Sequence, residues 1–132
     1  MKSDDDALIE AAKAVRARAH APYSNYYVGS AVLDEKGRIH SGCNVENAAY
    51  PEGICAETSA IAAMVAAGGT RIVAIAAVGG RESLTACTPC GGCRQRILEF
   101  SDPNTRIILL DDQGQPLRHT IDELLPASFR LR

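Results

Sequence analysis

Gly53-Ile54-Cys55-Ala56-Glu57 and, further on, Pro89-Cys90-Gly91-Gly92-Cys93 frame the stretch that decides how this chain folds. Between them lie an alanine-rich run closed by Gly68-Gly69 and an almost wholly apolar run from Arg71 to Val78. The first reads as a helix from about Glu57 to Ala67, with Ile61, Met64 and Val65 facing the core, and the second as a central strand over Ile72 to Val78, buried on both faces. Gly92 to Phe100 reads as a second helix, with Ile97 and Leu98 inward. A strand that runs back beside the first helix and feeds the second from its far end sets both helix N-termini at one edge. The lengths agree, since about 12 helical residues cover roughly 18 Å and about 7 strand residues roughly 23 Å. Cys55 and the Cys90/Cys93 pair therefore converge.

That convergence has a chemical meaning. Helix N-termini carry roughly half a positive charge and free N–H groups, which favour thiolates over thiols. Cys90 and Cys93 stand one turn apart, so both sulfurs can face one ion. Thiolates suit zinc, and a catalytic zinc site keeps three protein ligands and an open position for water, beside which a carboxylate such as Glu57 can move a proton. Cys90 and Cys93 alone read equally well as a redox or structural-zinc pair; Cys55 and Glu57 upstream tip the reading to metal-activated hydrolysis. A non-enzymatic alternative rests on Cys87, Cys90 and Cys93, whose C-x-x-C-x-x-C pattern is that of iron–sulfur ligation, although position 97 is Ile where the next cysteine would stand. Cys43 and Cys87 otherwise read as ordinary buried or half-buried thiols.

The whole chain sets the limits. It holds 132 residues, 46% of them hydrophobic, enough for one core in a single domain, 1–132, and too few for two. No apolar run reaches membrane length, and the opening MKSDDDALIE is acidic where an export signal would be basic and then apolar, so a soluble cytoplasmic protein is expected. A net charge of -2 without a basic cluster argues against a nucleic-acid surface. Five cysteines, an odd count without an export signal, favour metal binding or free thiols over disulfides.

Outward from the central stretch, Ser3 followed by Asp6 has the form of a helix cap, and Leu8, Ala11, Ala12, Val15 and Ala19 give one apolar face of a helix ending near Ala21-Pro22. Tyr23-Ser24-Asn25 reads as a turn, and Tyr26 to Asp34 and Arg38 to Asn44 as a hairpin joined at Glu35-Lys36-Gly37. Asn44 to Gly53 reads as a loop poised before the cysteine-led helix, a place where binding groups commonly stand. Thr105 to Leu110 is another strand, Leu117 to His119 a brief edge strand, and Ile121 to Leu125 a last helical turn. His20, His40 and His119 are isolated and read as surface or strand residues. The fold expected is three-layer α/β/α, a mixed sheet of about five strands with helices on both faces.

The residues resemble those of the small homo-oligomeric cytidine deaminases. The resemblance rests on Pro22-Tyr23-Ser24, Val28-Gly29, Gly42-Cys43-Asn44-Val45-Glu46-Asn47-Ala48, Tyr50-Pro51, Gly53-Ile54-Cys55-Ala56-Glu57, Pro89-Cys90, Cys93-Arg94-Gln95 and Leu124-Leu125-Pro126, and so spans nearly the whole chain. A ligand-x-Glu paired with Pro-Cys-x-x-Cys is the general zinc-deaminase signature. The Asn-x-Glu-Asn segment is what points to free nucleosides. The resemblance implies one zinc per subunit on Cys55, Cys90 and Cys93, with Glu57 as proton shuttle, and deamination of cytidine or 2'-deoxycytidine in pyrimidine salvage. It implies that Asn44 and Glu46 bond the ribose hydroxyls and that the backbone at Ala56 helps hold the pyrimidine edge. It further implies a homotetramer in which a C-terminal aromatic, here Phe129, closes the neighbour's pocket. Tyr26 is expected in the pocket, Tyr50 as loop anchor or subunit contact, and Arg94 as support for the site. Two departures stand out: the family often has Phe where this chain has Tyr26, and Arg where it has Thr58. With no Arg at 58, Arg94 is the nearest cation the sequence offers to offset the thiolate charge. Blasticidin S deaminases resemble this chain in size, metal segments and C-terminal motif, but the loop Asn44-Val45-Glu46-Asn47 favours a nucleoside.

Overall fold

The computed structural model describes residues 3–131, so Met1 and Lys2 of the acidic opening and Arg132 of the tail lie outside it. In chain order the elements are α1 (Asp4–Arg16), β1 (Tyr27–Asp34), β2 (Ile39–Cys43), a 3₁₀ turn (Tyr50–Glu52), α2 (Ala56–Ala66), β3 (Ile72–Gly80), α3 (Gly91–Glu99), β4 (Arg106–Leu110), β5 (Pro116–His119) and α4 (Ile121–Leu124). The five strands form one mixed sheet in the order β2-β1-β3-β4-β5, in which only β3 and β4 run parallel. The apolar run that marked a central strand is central, with α3 carrying the chain from it to its parallel neighbour.

Alternation along β3 builds two cores. Ala74, Ala76 and Val78 face α1 and meet Leu8, Ile9 and Ala12. Ile75 and Ala77 face the other way, against Ile61 and Met64 of α2, Ile97 and Leu98 of α3 and Ile121 of α4. This is the three-layer α/β/α arrangement. Two glycines set its tightness: a Cβ at Gly29 would come 2.0 Å from the Ala12 carbonyl oxygen, and one at Gly42 would come 2.4 Å from the Ala60 nitrogen. Helices α1 and α2 therefore lie directly on the β1–β2 hairpin, and any larger side chain there would lever a helix off the sheet.

Two expectations are corrected. Helix α1 ends at Arg16, one turn or more before Ala21, because the Arg16 side chain turns onto the carbonyls of Tyr27, Gly80 and Arg81 at 2.8–3.0 Å and the chain beyond must straighten for His20 to bridge Val45. Val65 is 48% exposed. At about 100° per residue, the face centred on Glu57, Ala60 and Met64 leaves Val65 roughly 110° off the packing direction.

Asp34 closes the hairpin. Its side chain is fully buried and accepts from the backbone N–H groups of Lys36 (2.9 Å) and Arg38 (3.0 Å), from Arg38 Nε (2.9 Å) and from His40 Nε2 (2.8 Å). Arg38 also donates to the Ala67 carbonyl at 3.0 Å, tying the turn to the end of α2. Burial would raise the carboxyl's pKa, but the bonds from His40, Arg38 and Lys36 outweigh it and hold the group well below the usual carboxylate range. A carboxyl depressed in this way stabilises fully above its ordinary value of about 3.9 and loses that contribution as pH falls toward the folded value. Asp34→Asn should cost about 2–3 kcal/mol at neutral pH. In urea melts at stepped pH, the gap between variant and parent should narrow below about pH 4.

Candidate metal centre and active site

Cys55 and Cys90 are the N-cap residues of α2 and α3, and Cys93 lies buried in the first turn of α3. The two sheet-anchored helices start at the same place, and the Sγ atoms of Cys55, Cys90 and Cys93 all lie within 4.8 Å of one another. Cys55 and Cys90 are 3.9 Å apart. Four-coordinate zinc with bonds of about 2.3 Å to sulfur sets neighbouring sulfurs about 3.8 Å apart, so this spacing fits the ion. Among the described residues this is the one group of three His, Cys, Asp or Glu side chains close enough to share a metal, and it offers three donors and no fourth. Cys87 stands outside the trio, which removes the C-x-x-C-x-x-C ligand set.

The protonation of the thiols points the same way. Bonding with Cys93, against burial and with help from Cys90 and the charge of Arg96, draws the Cys55 thiol down to about 6. The same bond, with burial, pushes Cys93 far up. Cys55 thus gives up its proton readily, while Cys93 holds its own until a cation displaces it.

Beside the sulfurs opens a cavity of about 560 Å³, lined among others by Tyr26, Asn44, Glu46, Tyr50, Ala56 and Glu57, within the range of small-molecule sites. Glu57 is 4% exposed, and burial, reinforced by the Cys55 charge, raises its pKa. Ala56 is fully buried at the cavity wall.

Both residues expected to meet a sugar are already anchored. Asn44 accepts from Val28 N–H and donates to the Tyr26 carbonyl, each at 2.9 Å, which leaves one N–H and one lone pair of its amide. The Glu46 carboxylate accepts from the backbone N–H groups of Tyr23 (3.0 Å) and Ser24 (3.1 Å) and from the Ser24 hydroxyl. The loop beneath them is held by the paired backbones of Val45 and Ile54. Tyr50 is 76% exposed and meets Tyr23 edge-on at 6.2 Å.

Tyr26 lines the cavity, and burial, with Cys87 beside it, raises the pKa of its hydroxyl. Its ring and the Cys87 sulfur share the space left by Gly79, each 3.0 Å from where a Cβ would stand. Phe129 is 67% exposed and lies apart from its own chain's cavity, its carbonyl accepting from Gln95 at 3.1 Å. Arg94 donates to the carbonyls of Pro89 (2.8 Å) and Leu124 (2.7 Å); it braces the ligand segment, while the cation whose charge reaches Cys55 is Arg96. Ser24 and Arg96 escaped the sequence reading, and Cys87, read as an ordinary thiol or a member of a C-x-x-C-x-x-C set, is a half-buried free thiol at the cavity wall. Only Cys87, three residues before Cys90, carried any signal of its place.

Comparison with known proteins agrees with this geometry. The family model described as cytidine and deoxycytidylate deaminase zinc-binding region matches residues 2–109. A cytidine deaminase of Sporosarcina psychrophila is 39% identical over 126 residues, covering 96% of this chain and 91% of that protein. One from Mycobacterium tuberculosis is 41% identical over 115 residues, covering 87% and 81%. Among solved structures, cytidine deaminase from Burkholderia pseudomallei superposes with a TM-score of 0.84 at 43% identity, covering 93% of this chain and 97% of the other. The enzyme from Mycobacterium leprae gives 0.80 at 42% identity, with 95% and 99% covered.

The purified protein should hold one zinc per chain by metal analysis. Replacing Cys55, Cys90 or Cys93 by Ser should release it to a chelator concentration that the parent withstands, whereas Cys87→Ser should retain it. Full retention in the Cys90 variant would remove the trio as the ligand set.

Proposed function

We propose, because this chain belongs to the cytidine deaminase family, that it hydrolyses cytidine and 2'-deoxycytidine to uridine and 2'-deoxyuridine with release of ammonia. The observation that carries this reading is a buried carboxyl, Glu57, beside the open side of a three-sulfur centre, in a cavity of nucleoside size. Zinc held by Cys55, Cys90 and Cys93 supplies a water acidified toward neutrality. Everything else falls to side chains. Glu57 takes a proton from the attacking water and delivers it to N3 as the oxygen adds at C4; it then takes the second proton, from the new C4 hydroxyl, and hands it to the amine as the C4–N bond breaks and the C4 carbonyl forms, so that ammonia leaves. Burial suits it to that exchange, because a carboxyl with a raised pKa is the stronger base and takes the water's proton more readily. The site must favour the tetrahedral carbon over the planar ring, and a wall fixed by backbone bonds at Asn44 and Glu46 does not yield to the ground-state shape.

In this reading Asn44 and Glu46, which line the cavity, bond the ribose hydroxyls, an amide giving donor and acceptor and a carboxylate giving acceptors. The Ala56 backbone holds the pyrimidine edge, and Tyr26 packs beside the base. The exposed Phe129 supports a homotetramer in which it closes a neighbour's pocket. No helix among the described residues is long and apolar enough to cross a membrane, and we place the enzyme in the cytoplasm, in pyrimidine salvage.

The deciding assay is loss of cytidine absorbance with ammonia release, run beside blasticidin S; turnover of blasticidin S alone would overturn the substrate. Glu57→Gln should keep zinc and lose about 10²- to 10⁴-fold in turnover. A carboxyl whose pKa is raised by folding loses stabilisation as pH rises through that value, so at neutral pH the metal-free Gln variant should melt higher than the metal-free parent. Light scattering should show four chains, and Phe129→Ala should raise KM more than it lowers kcat.

A further inference from the structure

Three thiolates outweigh a divalent ion by one negative charge, and an anion at the open position adds another. The two helix N-termini offset about one unit between them. Arg94, the neighbouring cation, is turned away onto the carbonyls of Pro89 and Leu124. The first turn of α2 contributes Glu57, which is acidic, and Thr58, whose Oγ1 is buried with no hydrogen-bond partner. Thr58 opens into a second cavity of about 400 Å³ at the seam of α2 and α3, away from the nucleoside cavity and lined also by Arg96. Side chains on a helix lean toward its N-terminus, and Arg96 does so: its Nη1 lies 3.4 Å from where a Cβ on Gly92 would stand. The guanidinium is thereby laid along the first turn of α3, whose N-cap is Cys90. Glu99, on the same wall, stands a further turn from the sulfurs.

We infer that Arg96 is a positioning residue that balances the charge of the three-sulfur centre across the cavity left by the short Thr58, and so sets how tightly the loaded centre holds an anion at its open position. Gly92, against which the guanidinium lies, stands between Cys90 and Cys93, so the cation sits at the turn that carries two of the three sulfurs. The inference rests on the metal centre proposed above and needs no assumption about the substrate.

The test uses the whole protein loaded with cobalt(II) in place of zinc, whose visible bands report an anion entering the open position, with azide as the anion. At equal cobalt content, Arg96→Gln should weaken azide binding by about three- to tenfold, the effect of one partly screened charge a few ångströms away. Arg96→Lys should keep most of the parent affinity. Thr58→Arg placed in the Arg96→Gln chain should restore it, because a cation entering the same cavity from α2 does the same work. Inert salt should narrow the difference between Arg96→Gln and parent, which a packing role for Arg96 would not predict. Equal azide affinity in Arg96→Gln and parent, or failure of Thr58→Arg to restore it, would overturn the inference while leaving the deaminase reading intact. A parent that takes up no cobalt would overturn both.

Discussion

Ionised thiols repel, yet three sulfurs of this chain lie within 4.8 Å of one another, and what holds them there is the seating of two helix starts on one sheet. α2 is fixed by the contact of Gly42 with the Ala60 backbone, too tight for any side chain between them. α3 is fixed by its apolar inner face, Ile97 and Leu98, and by Arg94, which clamps Pro89 ahead of Cys90 and Leu124 in the last helix. Because β3 is central and buried, neither helix can shift without disturbing a core shared by both. The metal geometry is thus a property of the sheet, and the cysteines only report it.

Legibility in the sequence tracked how local each cause was. The helix and strand periods, the cap at Ser3 and the turns at Glu35-Lys36-Gly37 and Gly68-Gly69 depend on neighbours in the chain, and the elements formed where they indicated. The end of α1 depended on Arg16 finding carbonyls more than sixty residues away in sequence, which no local pattern carries. Val65 obeyed the helical period but sat at the edge of a face whose centre is set by the sheet. At the site, the ligand trio could be read because two short motifs and a helix–strand spacing determine it. The choice between Arg94 and Arg96 could not, because it turns on which way two long side chains on one helix reach.

The loop before α2 shows how a polar wall is made rigid. Glu46, Asn44 and Ser24 satisfy one another's surroundings through the backbone of residues 23–28, so the groups facing the cavity are already oriented before a ligand arrives. Preorganisation of this kind lowers the ordering cost of binding. It also limits each group to the lone pairs and N–H that remain. A ligand must therefore meet them at the right angle, which favours a rigid ring of hydroxyls over a flexible chain.

Elsewhere each level of structure agrees with the next; at the centre the charges disagree. Glu57 is buried and disfavours its own carboxylate, the Cys55 charge disfavours it further, and Glu57 in turn opposes ionisation of Cys93 and Cys87. Such a cluster is a local conflict in an otherwise consistent fold, the mark of a place retained for chemistry. A divalent cation among the sulfurs resolves every term together, since it stabilises thiolates and carboxylate alike. Metal affinity is then coupled to folding, and the site's stability depends on the ion more than on any contact within it. One negative charge still remains uncompensated, and it falls to groups just outside the sulfurs, the helix ends and the guanidinium of Arg96, to set how strongly the centre attracts the next anion.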